Sequence, residues 1–185
     1  MEEYFDILDE KGVKTGEKLP RSQVHREGQW HRSVHIWVTD EWGRILLQQR
    51  AFTKDSNPGL WDISSAGHIS AGQDSREAAV RELQEELGIV AEPDRLQFLF
   101  EDKDQCILQD GRFVDHEFHD IYWLKLEPYE DRKIKADPVE LAGFRWITPE
   151  VFQEELERTP ECFVRHDHEY PRIIRLLNWP LIMFP

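Results

Sequence analysis

Apolar and polar side chains alternate in short blocks over the first fifty residues. Tyr4-Phe5-Asp6-Ile7-Leu8 is followed by the polar turn Asp9-Glu10-Lys11-Gly12 and a second extended run from Val13, which predicts a small β-hairpin. Val34, Ile36 and Val38 alternate, Asp40-Glu41-Trp42-Gly43 supplies a turn, and Ile45-Leu46-Leu47 returns as a second hairpin. Asn57-Pro58-Gly59 marks a loop. After the glycine-bounded loop Gly67–Gly72 the period becomes helical. Ala79, Val80, Leu83 and Leu87 share a stripe, Asp74 or Ser75 can cap the start, and Gly88 stops the helix. Leu96–Phe100 and Phe118–Leu126 read as strands and Arg145-Trp146-Ile147 as a short one, with loops expected at 51–60 and 101–116. Thr148-Pro149-Glu150 opens a further helix, and Pro171 onward suggests a last helix or turn to Asn178. Strands before, between and after helices predict one α+β domain over residues 1–185, without internal repeats or a low-complexity linker.

Beside the apolar stripe of the central helix lies a cluster of charge. At about 100° per residue, Glu82, Glu85 and Glu86 fall within an arc of roughly 100°. A solvated acidic face is the plain explanation. Three carboxylates in one turn repel one another, however, and a hard divalent cation such as Mg²⁺ or Mn²⁺ would relieve that repulsion through oxygen ligands. The whole chain sharpens the point: 23 Lys and Arg against 37 Asp and Glu give a formal charge of −14. Such a field disfavours nucleic-acid polymers and anionic lipid, so an anionic small-molecule substrate would need a cation between it and the protein.

Other bounds are negative. Met1–Glu10 has neither a basic nor an apolar leader region, and Ile173–Phe184 is interrupted by Arg175, Asn178 and Pro180 and is too short to span a bilayer. A soluble cytoplasmic protein is expected. Cys106 and Cys162 lie far apart, with no CxxC pair and no zinc-finger spacing.

Among the remaining polar residues, Arg50 and Lys54 are candidate phosphate contacts, with a snorkelling surface role as the alternative. Seven tryptophans, Trp30, Trp37, Trp42, Trp61, Trp123, Trp146 and Trp179, mostly suit packing; Trp61 is the candidate substrate contact. Strand alternation puts Asp115, Glu117 and His119 on one face. His166-Asp167-His168 reads as a solvated turn.

The segment from Gly67 to Ile89 resembles the Nudix box, Gly-x5-Glu-x7-Arg-Glu-U-x-Glu-Glu-x-Gly-U. Every fixed position matches except Gln73, which stands where the family has its first glutamate. With the flanking hairpin and Phe144-Arg145-Trp146-Ile147, the resemblance extends over roughly residues 31–160. It implies an α/β/α sandwich around a mixed sheet, with an N-terminal hairpin and a C-terminal helical extension added here. By position it implies Glu82 and Glu86 as direct Mg²⁺ or Mn²⁺ ligands, Glu85 as a ligand directly or through water, and Arg81 as the residue that orients them. The activity implied is hydrolysis of a diphosphate linkage, with Glu85, Glu140 or Glu117 as general base and a homodimer as a frequent family assembly.

The neighbourhood also resembles type I isopentenyl diphosphate isomerase, on His31-Arg32-Ser33-Val34, Gln49–Lys54, Pro58-Gly59-Leu60-Trp61 and the Trp61-to-His68 spacing. His25, His31 and His68, with Asp115 and Glu117, fall near that enzyme's three-histidine, two-carboxylate metal site. His68 is the best single candidate ligand. The cysteine its proton transfer requires is replaced here within Ser64-Ser65-Ala66. An isomerase-like enzyme and a Nudix-fold binding module weakened at Gln73 are the alternatives to a hydrolase.

Overall fold

A computed structural model describes residues 2–54, 56–108 and 113–178, with the Leu108 side chain excepted. Its elements in chain order are β1 (Tyr4–Leu8), β2 (Lys14–Pro20), α1 (Arg21–Glu27), β3 (Trp30–Thr39), β4 (Ile45–Arg50), β5 (Trp61–Asp62) and β6 (Ser65–His68). They continue with α2 (Ser75–Leu87), β7 (Gln97–Leu108), β8 (Phe113–Lys125), β9 (Leu141–Ile147), α3 (Pro149–Arg158) and α4 (Glu169–Leu177). The class is α+β, built on a mixed central sheet.

The chain divides into two compact units, Met1–Ile36 with Ala66–Gln84 and Val90–Trp123, and Trp37–Ser65 with Glu85–Ile89 and Leu124–Pro185. In the first, β1 runs antiparallel to β2 with Phe5 opposite Leu19, and Leu8 meets Trp30 of β3. Phe5, Ile7 and Val24 form a buried cluster against which Leu19 packs. The β7–β8 hairpin is long, pairing Gln97 with Trp123 through to Leu108 with Phe113. In the second unit, β4 is the hub. It pairs antiparallel with β3 at Thr39, with β5, and with β9 along Ile45–Arg50. Burial of Ile45, Leu46 and Leu47 on both sides of that strand explains why they form a continuous apolar run rather than an alternating one.

Helix α2 starts and stops where its residues dictate. Asp74 Oδ1 accepts from Arg76 N at 2.9 Å and Glu77 N at 3.3 Å, so Asp74 rather than Ser75 is the cap. Gly88 ends it in the left-handed region at φ 65°. Its buried apolar residues are Ala78, Ala79, Leu83 and Leu87; Val80, expected in the core stripe, is half-buried, and Ala78 takes its place. At α3, Thr148 accepts from Val151 N as the sequence predicts.

Two expectations change, and one helix is unforeseen. Most of the loop expected at 101–116 is strand, since β7 extends to Leu108 and β8 begins at Phe113. Helix α1 gave no periodic signal because Val24 is its one aliphatic residue among seven. The turn at His166–His168 is not all solvated: His166 Nε2 lies 2.9 Å from Oδ1 of the buried Asp62. Trp179 and the apolar stretch after Asn178 lie outside the described residues.

Candidate functional site

In the first unit, three segments distant in sequence bring imidazoles together. His25 comes from α1, His31 from β3 and His68 from the end of β6, while β8 presents Asp115 and Glu117 from one face. One ligand atom from each of the three histidines can be chosen so that all lie within 4.8 Å of one another, and the same holds for His31, Asp115 and Glu117. His31 Nε2 is 3.2 Å from Glu117 Oε1 and 3.5 Å from Asp115 Oδ1. His68 Nε2 is 3.2 Å from the same Glu117 oxygen, and His25 Nε2 is 3.5 Å from Asp115 Oδ1.

Proton placement decides what these distances mean. The Nδ1 atoms of His25 and His31 lie 3.0 Å from the carbonyls of Arg21 and Gln29, which only accept, so Nδ1 carries the proton in each neutral ring. Nε2 then turns a lone pair toward carboxylate lone pairs. Accordingly the buried Nε2 atoms of all three histidines and Asp115 Oδ1 lack a hydrogen-bond partner. Only a proton or a cation relieves that opposition. Without an ion, burial works against an imidazolium at His31, but Glu117 and Asp115 still raise its pKa. Burial holds His68 below the usual imidazole value. Burial by itself would raise Glu117, yet His31 and His68 hold it well below the usual carboxylate range. Three imidazoles and two carboxylates make a donor set that fits a first-row transition ion better than Mg²⁺, which prefers oxygen. The residues present fit such an ion.

Outside these donors, Glu117 Oε2 lies 3.7 Å from His119 Nδ1, which in turn is 2.6 Å from Ser33 Oγ. Backing carboxylate ligands with buried polar groups is the usual means of fixing their orientation.

The carboxylate helix is organised differently. Arg81 Nη2 is 2.8 Å from Glu82 Oε1 and donates to the His68 carbonyl at 3.0 Å, which ties the helix to the end of β6. Gly67 explains itself here: a Cβ at that position would lie 2.0 Å from Glu82 Cδ, so only glycine lets the Glu82 carboxyl rest against the strand. Gln73 Oε1 accepts from Ser70 N at 3.3 Å, retaining a brace for the loop that leads into the helix. In the second unit Glu86 is buried and accepts from Ser65 Oγ at 2.7 Å, whereas Glu85 is exposed. Asp137 N and Lys135 N donate to the carbonyls of Glu86 and Leu87, docking the loop that carries Glu140 on the end of α2.

Glu140 forms an ion pair with Lys54. Arg50 braces its own loop, donating to Ser56 O and Ser56 Oγ at 3.1 Å and to Asp62 Oδ2 at 3.2 Å. Trp61 lies beneath the Arg145 guanidinium at 4.2 Å, with Arg145 paired to Glu155. Ser65, which holds Glu86, carried no signal in the sequence; small hydroxyl residues are too common for one to stand out.

This combination of sheet, box helix and loop defines a Nudix fold. The NUDIX domain model matches residues 29–166, and the chain belongs to the Nudix family. It is 38% identical over 181 residues to Nudix hydrolase 3 of Arabidopsis thaliana, an alignment covering 96% of this chain and 23% of that protein. The chain therefore spans less than a quarter of that relative's length. It is 35% identical over 163 residues to the isopentenyl-diphosphate Delta-isomerase of Serratia proteamaculans, covering 88% of this chain and 86% of the relative. The crystal structure of DR0079 from Deinococcus radiodurans shares the fold, with a TM-score of 0.67 at 20% identity over 95% of this chain and 99% of that one.

Proposed function

We propose that this protein is a divalent-metal-dependent hydrolase that cleaves a diphosphate linkage, of the type that joins a nucleoside diphosphate to another moiety, by water attack on phosphorus. The observation that carries it is the seating of Glu82 against Gly67 with Arg81 alongside, because it gives the box sequence a geometric reason. Glu82, Glu85 and Glu86 hold Mg²⁺ or Mn²⁺, and His68 belongs to the histidine group. When bound, the ion polarises phosphoryl oxygens and makes water a better nucleophile. The chain's own residues then have separable tasks. Arg81 fixes Glu82, Ser65 fixes Glu86, and the exposed Glu85 or the loop residue Glu140 accepts the proton from water. Glu117, turned toward two imidazoles, is the less suited base. Lys54 binds substrate phosphate by exchanging Glu140 for it, Arg50 keeps that loop in shape, and Trp61 lines the approach.

The partner in this reading is a small diphosphate, and the compartment is the cytoplasm. Among the described residues no helix is long and apolar enough to cross a membrane, and both cysteines are free thiols. A second reading, an isomerase acting on isopentenyl diphosphate, is favoured by the five-donor cluster. It is opposed by Ala66, whose methyl group can neither give nor take a proton.

The test is product release from nucleotide sugars, dinucleotides and isoprenoid diphosphates with Mg²⁺, comparing the chain with Glu86→Gln. Hydrolysis lost in the variant supports the proposal; hydrolysis unaffected by it sinks the metal assignment. Interconversion of isopentenyl and dimethylallyl diphosphate would establish the isomerase instead.

A further inference from the structure

The histidine cluster has a floor that none of its polar donors supplies. Phe5 is fully buried in β1, and its ring lies nearly parallel to two of the imidazoles. The centroid distance is 4.6 Å to His68 with 14° between planes, and 5.1 Å to His31 with 6°. His25 meets the same ring edge-on at 6.1 Å. A second phenyl, Phe113 at the start of β8, stacks on His25 at 4.3 Å and 14°.

Phe5 is itself held from both sides. Its strand pairs with β2 on one side, Phe5 opposite Leu19. Its neighbours grip the loop before α2: Tyr4 O accepts from Ala71 N at 2.7 Å, and Asp6 Oδ2 accepts from Gly72 N at 2.9 Å. Glu3 Oε1 accepts from Ser70 Oγ at 3.0 Å. A rigid ring in this place does two things for the imidazoles. It fixes the planes of His31 and His68, so that their Nε2 lone pairs converge without a search through χ2, and it keeps water away from the back of the donors. Both raise the affinity of a metal site, through orientation and through a lower local dielectric.

We propose that Phe5 is a positioning residue of the histidine site, a stacking platform that sets its metal affinity and coordination geometry. Phe5 lies outside residues 29–166, the stretch that the NUDIX model covers, so this contribution comes from the N-terminal hairpin. The proposal rests on the histidine cluster being a metal site.

Co²⁺ is a suitable probe, because its visible absorption reports ligand number and geometry. Metal-stripped full-length protein is titrated with Co²⁺, following the spectrum and the Tm. The wild-type chain should develop saturating bands and gain thermal stability. Phe5→Leu keeps an apolar side chain but loses the flat face. Its Co²⁺ affinity should fall about tenfold or more, with altered bands and a smaller metal-induced rise in Tm. Ile7→Val, in the same strand and core cluster, should lower the metal-free Tm and leave Co²⁺ affinity and spectrum unchanged. A purely structural Phe5 would behave like Ile7, and wild-type affinity and spectrum in a folded Phe5→Leu overturn the proposal. If Phe5→Leu does not fold, Phe113→Leu asks the same question of the His25 ring: weaker binding supports stacking as the device, and unchanged binding overturns it. Absence of Co²⁺ uptake by the wild-type chain fails the metal-site reading itself.

Discussion

The carboxylate helix and the histidine cluster both gather candidate metal ligands, but they are built in opposite ways. The first is local: Glu82, Glu85 and Glu86 fall within five residues of one helix. The second draws its donors from α1, β3, β6 and β8, more than ninety residues apart at the extremes. Polar satisfaction differs too. Glu82 and Glu86 already have protein partners in Arg81 and Ser65, whereas four buried atoms of the histidine cluster face one another without a hydrogen bond. With its carboxylates already partnered, the helix suits the proposed role of taking and releasing a hard ion with the substrate. The histidine cluster leaves opposed lone pairs, a standing cost in the folded state unless something occupies it.

That contrast can be broken or sharpened by substitution, beginning with the largest effect. Glu86→Gln removes a buried carboxylate of the proposed ion site, and kcat for Mg²⁺-supported hydrolysis should fall on the order of 10²- to 10³-fold, the scale of losing one preorganised charge-stabilising group. Phosphate release under saturating substrate measures it. Gly67→Ala forces the Glu82 carboxyl from its seat; beyond an activity loss, chemical denaturation should show about 1–3 kcal/mol of destabilisation from overpacking. His31→Ala should abolish Co²⁺ uptake at the histidine cluster while Mg²⁺-supported hydrolysis stays within about tenfold of wild type, roughly 1.4 kcal/mol. Equal loss of both would show that the two groups act as one centre. Gln73→Glu, which restores the family residue, should change kcat/KM by less than about threefold, because Gln73 already braces Ser70.

The same contrast explains what the sequence disclosed. Within α2, a spacing of 3 and 4 residues is geometry, so the carboxylate face, the Asp74 cap and the Gly88 stop were legible before any fold was known. His31 and His68 come together only once β6 is paired beside β3, and β8 beside β3 adds the carboxylates; no local period encodes those pairings. Resemblance to a known enzyme pointed to these residues; physics of the sequence alone did not. Phe5 was visible only as an apolar position in an alternating strand. Nothing in its neighbours says that its face would meet imidazoles rather than aliphatic side chains. Likewise His166, set among polar residues, reads as solvent-facing until β5 places Asp62 beside it.

Asp62 also gives the second unit a pH dependence of its own. Burial would raise its carboxyl, but His166 and Arg50 hold it below the usual value. A depressed folded-state pKa contributes stability above the unfolded value of about 3.9, and this contribution is lost as pH falls through the lower folded value. Asp62→Asn should therefore lower the Tm at neutral pH, and the gap between variant and wild type should narrow in that acidic window.

One Nudix chain thus carries two donor groups of different chemistry, oxygen on the helix and nitrogen with oxygen in the cluster. X-ray absorption of the full-length protein loaded with one equivalent of Co²⁺ tests it most directly, since imidazole rings leave a characteristic outer-shell signature around the ion. Scattering from about three imidazoles, reduced in His31→Ala, is the expected result. A shell of oxygen ligands alone would contradict the account.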